Sequence, residues 1–316
     1  MVLGQVGAQG MALVGCGSAV PAISVSNQQL SERVDTSDEW IVERTGIRRR
    51  HHGGTTSGLA IEAGLAALER AGRRPDEIDA VILATTTPDQ IVPGTSAVVQ
   101  DGMGVTGGAF DVNAACSGFV YALTVAHGLI AAGAAERLVV IGSETLSKIT
   151  DFTERGVSIL VGDGAGAVVV EATDGPGQLL SYRMGADGSL RHLLYCDHGG
   201  HLVMNGKEVF RKAVSVVVES SQGALADAGL TADNLDLVVP HQANLRIIGA
   251  ACQRLGVPEE KAVITIDRYG NTSSASIPLA LVDALESGRL QPGMHVLLTG
   301  FGGGMTWASA VLKWGG

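Results

Sequence analysis

The segment Ala67-Leu-Glu-Arg-Ala-Gly-Arg-Arg-Pro-Asp-Glu-Ile-Asp-Ala-Val-Ile82 returns 157 residues later as Ala224-Leu-Ala-Asp-Ala-Gly-Leu-Thr-Ala-Asp-Asn-Leu-Asp-Leu-Val-Val239. The copies share Ala, Leu, Ala, Gly, both Asp and a Val in register, with like apolar residues at two further positions. At the same spacing Leu138-Val-Val-Ile141 overlays His295-Val-Leu-Leu298. A repeat of this spacing, in a chain of 316 residues, points to two copies of one αβ unit. The expected halves are 1–174 and 175–316, with the seam at Thr173-Asp-Gly-Pro-Gly177, where turn residues separate two apolar strands. With 46% hydrophobic and 17% charged residues there is enough apolar material for two sheets covered by helices. The 44 glycines and few aromatics suit close helix-to-sheet packing.

Within that frame the run Asp111-Val-Asn-Ala-Ala-Cys116-Ser-Gly-Phe119 sets a cysteine between a strand-like segment, Gly107–Val112, and a helix expected over Phe119–Ala132 that is apolar nearly all round. A cysteine at a helix start meets the positive end of the peptide dipoles, which is expected to lower its pKa. Two further polar groups fall in the same context. His241 follows the apolar strand Leu235–Val239 and precedes a helix starting near Asn244, and Asn271 lies between an expected strand, Ala262–Ile266, and an expected helix, Ile277–Leu285. All three leave the carboxyl ends of strands, the edge where open α/β sheets build their sites. The repeat makes the Cys116 and Asn271 turns counterparts. Cys16, Cys196 and Cys252 read as structural.

Several classes of function are disfavoured. No apolar run approaches the length of a membrane helix, and the first ten residues lack the charged and apolar regions of a signal peptide, so the chain is expected to be soluble and cytoplasmic. Four widely spaced cysteines give neither a zinc pattern nor a disulfide framework, and no metal is expected. A net charge of −10 argues against nonspecific nucleic-acid binding.

The chain resembles, over essentially its whole length, the β-ketoacyl-acyl-carrier-protein synthase III family. The residues that carry the likeness are the Cys116 turn, Pro240-His-Gln-Ala-Asn-Leu-Arg246, Tyr269-Gly-Asn-Thr-Ser273, Gly300-Phe-Gly-Gly-Gly304-Met-Thr-Trp307 and Thr36-Ser-Asp-Glu-Trp-Ile-Val-Glu-Arg-Thr-Gly-Ile47. The resemblance implies an α/β thiolase-like fold layered α-β-α-β-α and a catalytic set of Cys116, His241 and Asn271. It implies an acyltransferase that condenses a short acyl-CoA, acetyl-CoA above all, with malonyl-acyl-carrier protein, releasing CoA and CO2 to start type II fatty-acid synthesis. Cys116 is the implied nucleophile, and the backbone N–H groups of Cys116 and Gly303 form the oxyanion hole. CoA falls to Trp40, Arg44, Thr45, Arg155, Met204, Gly206, Phe210, Asn244 and Phe301. Lys207 departs from the asparagine expected beside Gly206. No cofactor is held permanently, CoA entering as part of a substrate, and a homodimer is implied.

Two assignments follow from the implied partners. The residue before Pro93, here Val92, is expected to close the acyl pocket of the other subunit, and its modest size to admit primers of about four carbons. The carrier protein is acidic, so it needs a basic patch, for which Arg246 and Arg254 on one helix, with Lys207, Arg211 and Lys212, are the candidates. The alternative is a related Cys-His-Asn condensing enzyme of secondary metabolism using another acyl primer. A Cys-His-Asn hydrolase and a catalytically silent dimeric binding module are the readings from other classes.

Overall fold

The computed structural model describes residues 9–315. Its first sheet has β1 (Gln9–Ala19), β2 (Ala80–Ala84), β3 (Gly108–Val112), β4 (Arg137–Thr145) and β5 (Asp163–Asp174), in the spatial order β1-β5-β4-β2-β3. The second has β6 (Leu179–Ala186), β7 (Leu237–Pro240), β8 (His295–Gly302) and β9 (Thr306–Lys313), in the order β6-β9-β8-β7. Taken in chain order, β6, β7, β8 and β9 occupy the places of β1, β2, β4 and β5. The directions match too: β2–β4 and β7–β8 are parallel, while the other two neighbouring pairs in each set of four, β1–β5 with β4–β5 and β6–β9 with β8–β9, are antiparallel.

Only β3 has no full counterpart. The expected strand Ala262–Ile266 is not one: it keeps a single parallel bridge, Val238 to Ala262, and Ile266–Tyr269 is a helical turn. The buried Gln242 explains the loss. Its Oε1 accepts the N–H groups of Thr265 (2.9 Å) and Ile266 (3.1 Å), and its Nε2 donates to the carbonyl of Val263 at 3.0 Å. Those are backbone groups that a longer ladder would have used.

Seven helices matter for the layers: α1 (Asp38–Thr45), α2 (Thr56–Ala71), α3 (Thr95–Met103), α4 (Gly118–Ala131), α5 (Gly206–Asp227), α6 (Leu245–Leu255) and α7 (Ser276–Glu286). α2 and α3 cover the outer face of the first sheet, α5 with α6 against it covers the outer face of the second, and α4 and α7 lie between the sheets. Strand periodicity sorts the side chains: Ala80, Ile82 and Ala84 join the central core with Phe119, Leu123 and Ile277, whereas Val81 and Leu83 join the outer core under α2. Because both faces are covered, β2 reads as an unbroken apolar run. α4 is apolar all round because it is sandwiched. The turn that leads into α7 approaches so closely that a Cβ at Gly142 would stand 2.3 Å from the carbonyl oxygen of Ser274.

Candidate active site

Cys116 lies in a tight helical turn, Ala115–Ser117, one step before α4 rather than on the helix proper. Ala115 takes a φ of +48°, a left-handed conformation costly for a residue with a side chain. The turn is braced: Thr306 Oγ1 donates to the Ala114 carbonyl at 2.8 Å, and the single Ser117 hydroxyl proton lies between that carbonyl (2.8 Å) and Thr306 Oγ1 (2.9 Å). The glycine-rich end of β8 lies directly against it. A Cβ on Gly302 would stand 2.4 Å from the Cys116 amide nitrogen, so no larger residue fits there.

The expected low pKa is corrected by the structure. Burial pushes the Cys116 thiol up to about 12, the charge of Glu144 adds to the rise, and a hydrogen bond with Ser273 opposes it. Desolvation of a thiolate therefore outweighs what the turn's peptide dipoles supply. The resting nucleophile is a thiol.

His241 follows β7, its N–H donating to the Thr299 carbonyl at 2.8 Å as the parallel ladder runs on. Its ring is buried, lies edge-on to Phe301 with centroids 5.6 Å apart, and has Nδ1 2.6 Å from Ser276 Oγ. Burial lowers its pKa to about 3, so the ring is neutral at physiological pH. Nε2 makes no hydrogen bond among the described residues. Asn271 is held by its backbone, donating to the Leu160 carbonyl (2.7 Å) and accepting from Gly162 N–H (2.9 Å). Its Oδ1 accepts the Ser273 N–H at 2.9 Å, which leaves the amide NH2 uncommitted among the described residues.

Two cavities meet at these residues, and Cys116 and Asn271 line both. One, of about 520 Å³, has apolar walls including Leu146, Ile149, Val157 and Leu202, with Gly303 and Thr86 at the cysteine end. The other, of about 500 Å³, runs past His241, Phe301, Asn244, Met204, Gly206 and Phe210 to a mouth with Trp40, Arg44, Thr45, Lys207 and Arg246. Arg155 does not line it; its guanidinium covers the Trp40 ring at 4.7 Å, with Arg44 at 5.7 Å. A planar ring entering there has to part Arg155 from Trp40 or take the place of one of them.

Other expected residues are scattered. Arg246 stands over Phe210 at 5.9 Å, whereas Arg211, Lys212 and Arg254 lie away from the cavity, and Arg211 is engaged by Glu208 at 2.5 Å. Val92 is 82% exposed and outside the cavities of its own chain. Sequence reading passed over Ser276, which orients His241, and Glu144, a carboxylate buried beneath the site. Ser276 was recognisable only as one hydroxyl in a Ser-rich run, and Glu144 as an acidic residue ending an apolar strand. Among the described residues no group of three or more His, Cys, Asp or Glu side chains is placed to hold a metal ion, and no helix is long and apolar enough to cross a membrane.

Residues 110–188 match the family described as 3-oxoacyl-[acyl-carrier-protein] synthase III, and residues 225–314 match its C-terminal region. A β-ketoacyl-[acyl-carrier-protein] synthase III of Erythrobacter litoralis is 50% identical, the alignment covering 96% of this chain and 99% of the relative. The crystal structure of 3-oxoacyl-[acyl-carrier-protein] synthase III from Aquifex aeolicus superposes with a TM-score of 0.95 at 42% identity, covering 96% of this chain and 100% of that one. The crystal structure of the priming β-ketosynthase from the R1128 polyketide biosynthetic pathway superposes with a TM-score of 0.93 at 37% identity, covering 100% of this chain and 99% of that one. Matches of this extent and identity, on a fold whose two αβ halves meet at a cysteine, a histidine and an asparagine, place the chain in the β-ketoacyl-acyl-carrier-protein synthase III family.

Proposed function

We propose that Cys116, His241 and Asn271 divide between them the two stages of one condensation. The enzyme is an acyltransferase that starts fatty-acid synthesis by a decarboxylative Claisen condensation. Cys116 sulfur attacks the thioester carbonyl of a short acyl-CoA; the backbone N–H groups of Cys116 and Gly303 hold the oxyanion, and the thiol proton leaves with CoA as its thiol. Malonyl-acyl-carrier protein then enters. The bond to its carboxylate breaks, CO2 departs, and the electron pair is left on the thioester enolate, whose oxygen takes hydrogen bonds from His241 and the Asn271 amide. The carbanion attacks the acyl-cysteine, 3-ketoacyl-acyl-carrier protein is released, and the expelled thiolate takes up a proton. Each donor to such an oxyanion is typically worth about 3 kcal/mol in the transition state.

One observation carries this reading against a cysteine hydrolase. In a Cys-His-Asn hydrolase the asparagine orients the histidine, but here His241 Nδ1 meets Ser276, and Asn271 Oδ1 is taken by the backbone of its own turn. A neutral imidazole and an uncommitted amide suit an enolate. The mouth supports CoA binding: Trp40, flanked by Arg44 and Arg155, offers a stacking face for adenine, with Thr45, Asn244, Met204, Gly206, Phe210 and Phe301 along the way to Cys116. Lys207 stands where a neutral residue was expected.

The carrier protein is assigned to Arg246, Arg254, Lys207, Arg211 and Lys212, with Arg246 the leading contact because, of the two arginines on α6, it is the one that lines the cavity mouth, beside Lys207. We assign the chain to the cytoplasm and to a homodimer, each subunit built of an N-terminal half, 1–174, that carries Cys116 and a C-terminal half, 175–316, that carries His241 and Asn271. Edge strand β3, with Phe110 38% exposed, and the exposed pair Ile91 and Val92 form an apolar surface suited to a second copy, which would bring Val92 to its partner's acyl cavity. A panel of acyl-CoA primers, each offered with and without malonyl-acyl-carrier protein, tests the reaction. The expected products are 3-ketoacyl-acyl-carrier protein and CO2 from primers of two to about four carbons, and release of free acid alone would establish the hydrolase instead.

A further inference from the structure

Glu144, near the end of β4, is fully buried, and no lysine, arginine or histidine pairs with it among the described residues. Its Oε2 accepts from Thr85 Oγ1 (3.2 Å), Thr86 N–H (3.0 Å), Thr86 Oγ1 (3.0 Å) and Thr87 Oγ1 (2.7 Å), and its Oε1 from Ser274 N–H (3.4 Å) and Ser274 Oγ (2.8 Å). Thr85 and Thr87 hydroxyls each already receive a backbone N–H, from Thr87 and Thr145, so their hydrogens are available to the carboxylate. A carboxylate buried without a cation is tolerated only when several donors share its charge, which is the arrangement here. An apolar residue would end this strand at less cost. The position therefore calls for a reason beyond packing.

The donors come from both walls of the site. Thr86 lines the acyl cavity beside Cys116, whereas Ser274 belongs to the turn that holds Asn271 and Ser273. Ser273 is itself strained, with φ +48°, and persists only because neighbouring bonds over-determine it. Ser274 supplies those bonds, its N–H going to Glu144 and its one hydroxyl proton being shared between Glu144 and the Ala84 carbonyl, 2.8 Å and 2.9 Å from Oγ. The carboxylate also acts on the thiol of Cys116 through space.

We propose that Glu144 is a positioning residue for the carbanion step, its buried carboxylate holding the Asn271–Ser274 turn in register with the Cys116 turn. This rests on the assignment of Asn271 to that step. In Glu144→Gln an NH2 replaces one of the two accepting oxygens, so the N–H of Thr86 or of Ser274 faces another donor and the hydroxyls have to turn to accept, which loosens the turn. Decarboxylation of malonyl-acyl-carrier protein falls at least about tenfold, while acylation of Cys116 by acyl-CoA stays within about threefold of wild type. A second reading separates positioning from general loosening. The charged and titratable groups on the walls of the two cavities that Cys116 lines are His241, Arg191, Tyr195, Cys196, Arg44, Lys207 and Arg246, with Glu144 buried behind them, and only Glu144 changes. The pH midpoint for iodoacetamide alkylation of Cys116 therefore shifts down in Glu144→Gln and returns in Glu144→Asp, which keeps the charge but regains only part of the decarboxylation. Should Glu144→Gln not fold, Ser274→Ala is expected to lower decarboxylation with acylation retained. Equal loss of both stages with an unmoved alkylation midpoint, or wild-type decarboxylation in either variant, overturns the proposal. Asn271→Ala measured alongside keeps the two claims apart: retained decarboxylation in that variant refutes the assignment of Asn271, whatever Glu144 does.

Discussion

In the first half of the molecule the tight turn Ala115–Ser117 leads into α4, and in the second the tight turn Ser273–Ala275 leads into α7. Each enters its turn through a residue at φ +48°, Ala115 in one and Ser273 in the other. Superposing the two sets Cys116 against Ser274. The first turn presents Cys116 to two cavities; in the second only Ser273 reaches a cavity, and its counterpart of Cys116, Ser274, is 1% exposed and packed against Glu144 and Ala84. One backbone device thus serves once to present a nucleophile and once to brace it, and the hydrogen-bond donor Asn271 sits just upstream of the brace. Duplication supplied the geometry; burial and side-chain identity divided the labour.

The comparison can be broken most severely at the nucleophile. Cys116→Ala is expected to abolish acyl-enzyme formation from acyl-CoA, read by intact mass, because the second turn offers a hydroxyl that is buried and already bonded. An adduct mapping to Cys16, Cys196 or Cys252 contradicts the assignment. Val92→Phe is expected to narrow the primer range to acetyl, with a loss of roughly tenfold or more for four-carbon primers and little change for acetyl. An unchanged primer profile removes Val92 from the pocket.

Arg246→Glu probes the half that carries the second turn. The apparent KM for malonyl-acyl-carrier protein should rise severalfold, with acylation by acyl-CoA nearly unchanged, since rim charges act mainly on association. The effect should shrink with added salt, because exposed charges are screened beyond about 10 Å at 0.1 M. Wild-type behaviour at low salt would move the docking surface elsewhere.

The smallest expected effect concerns stability. Burial holds His52, His127 and His241 below the ordinary histidine pKa, and among the described residues neither His127 ring nitrogen has a hydrogen-bond partner, its ring lying edge-on to Tyr182 at 5.8 Å. The unfolded chain then binds protons that the folded chain refuses once the pH drops below about 6.5. Stability is complete above that pH and falls as the pH falls, the His241 contribution continuing to about 3. His127→Leu should flatten the drop in Tm between pH 7 and 5.5 by about 2 °C, and an identical pH slope in the variant would contradict it.

Much of this was legible in the sequence because period and repetition report directly on layers. The offset of the repeat located matching strands, and the unbroken apolarity of α4 announced its place between sheets. Cys116 and His241 were legible as polar residues leaving strand ends, whereas Asn271 was picked out through a strand that does not form. What stayed hidden were quantities set by tertiary surroundings. The thiol pKa depends on burial and on Glu144, which is distant in sequence; the missing strand at Ala262–Ile266 depends on the side chain of Gln242; and the orientation of His241 depends on Ser276, one hydroxyl among several. The stacking of Arg155 on Trp40 joins segments more than a hundred residues apart.

Asn271→Ala, assayed separately for acyl-enzyme formation by intact mass and for CO2 release from malonyl-acyl-carrier protein, tests the division of labour most directly. The expected result is acylation of Cys116 close to wild type and decarboxylation reduced by about a hundredfold or more, the usual cost of losing one oxyanion donor. Equal loss of both activities, or decarboxylation that survives, would contradict it.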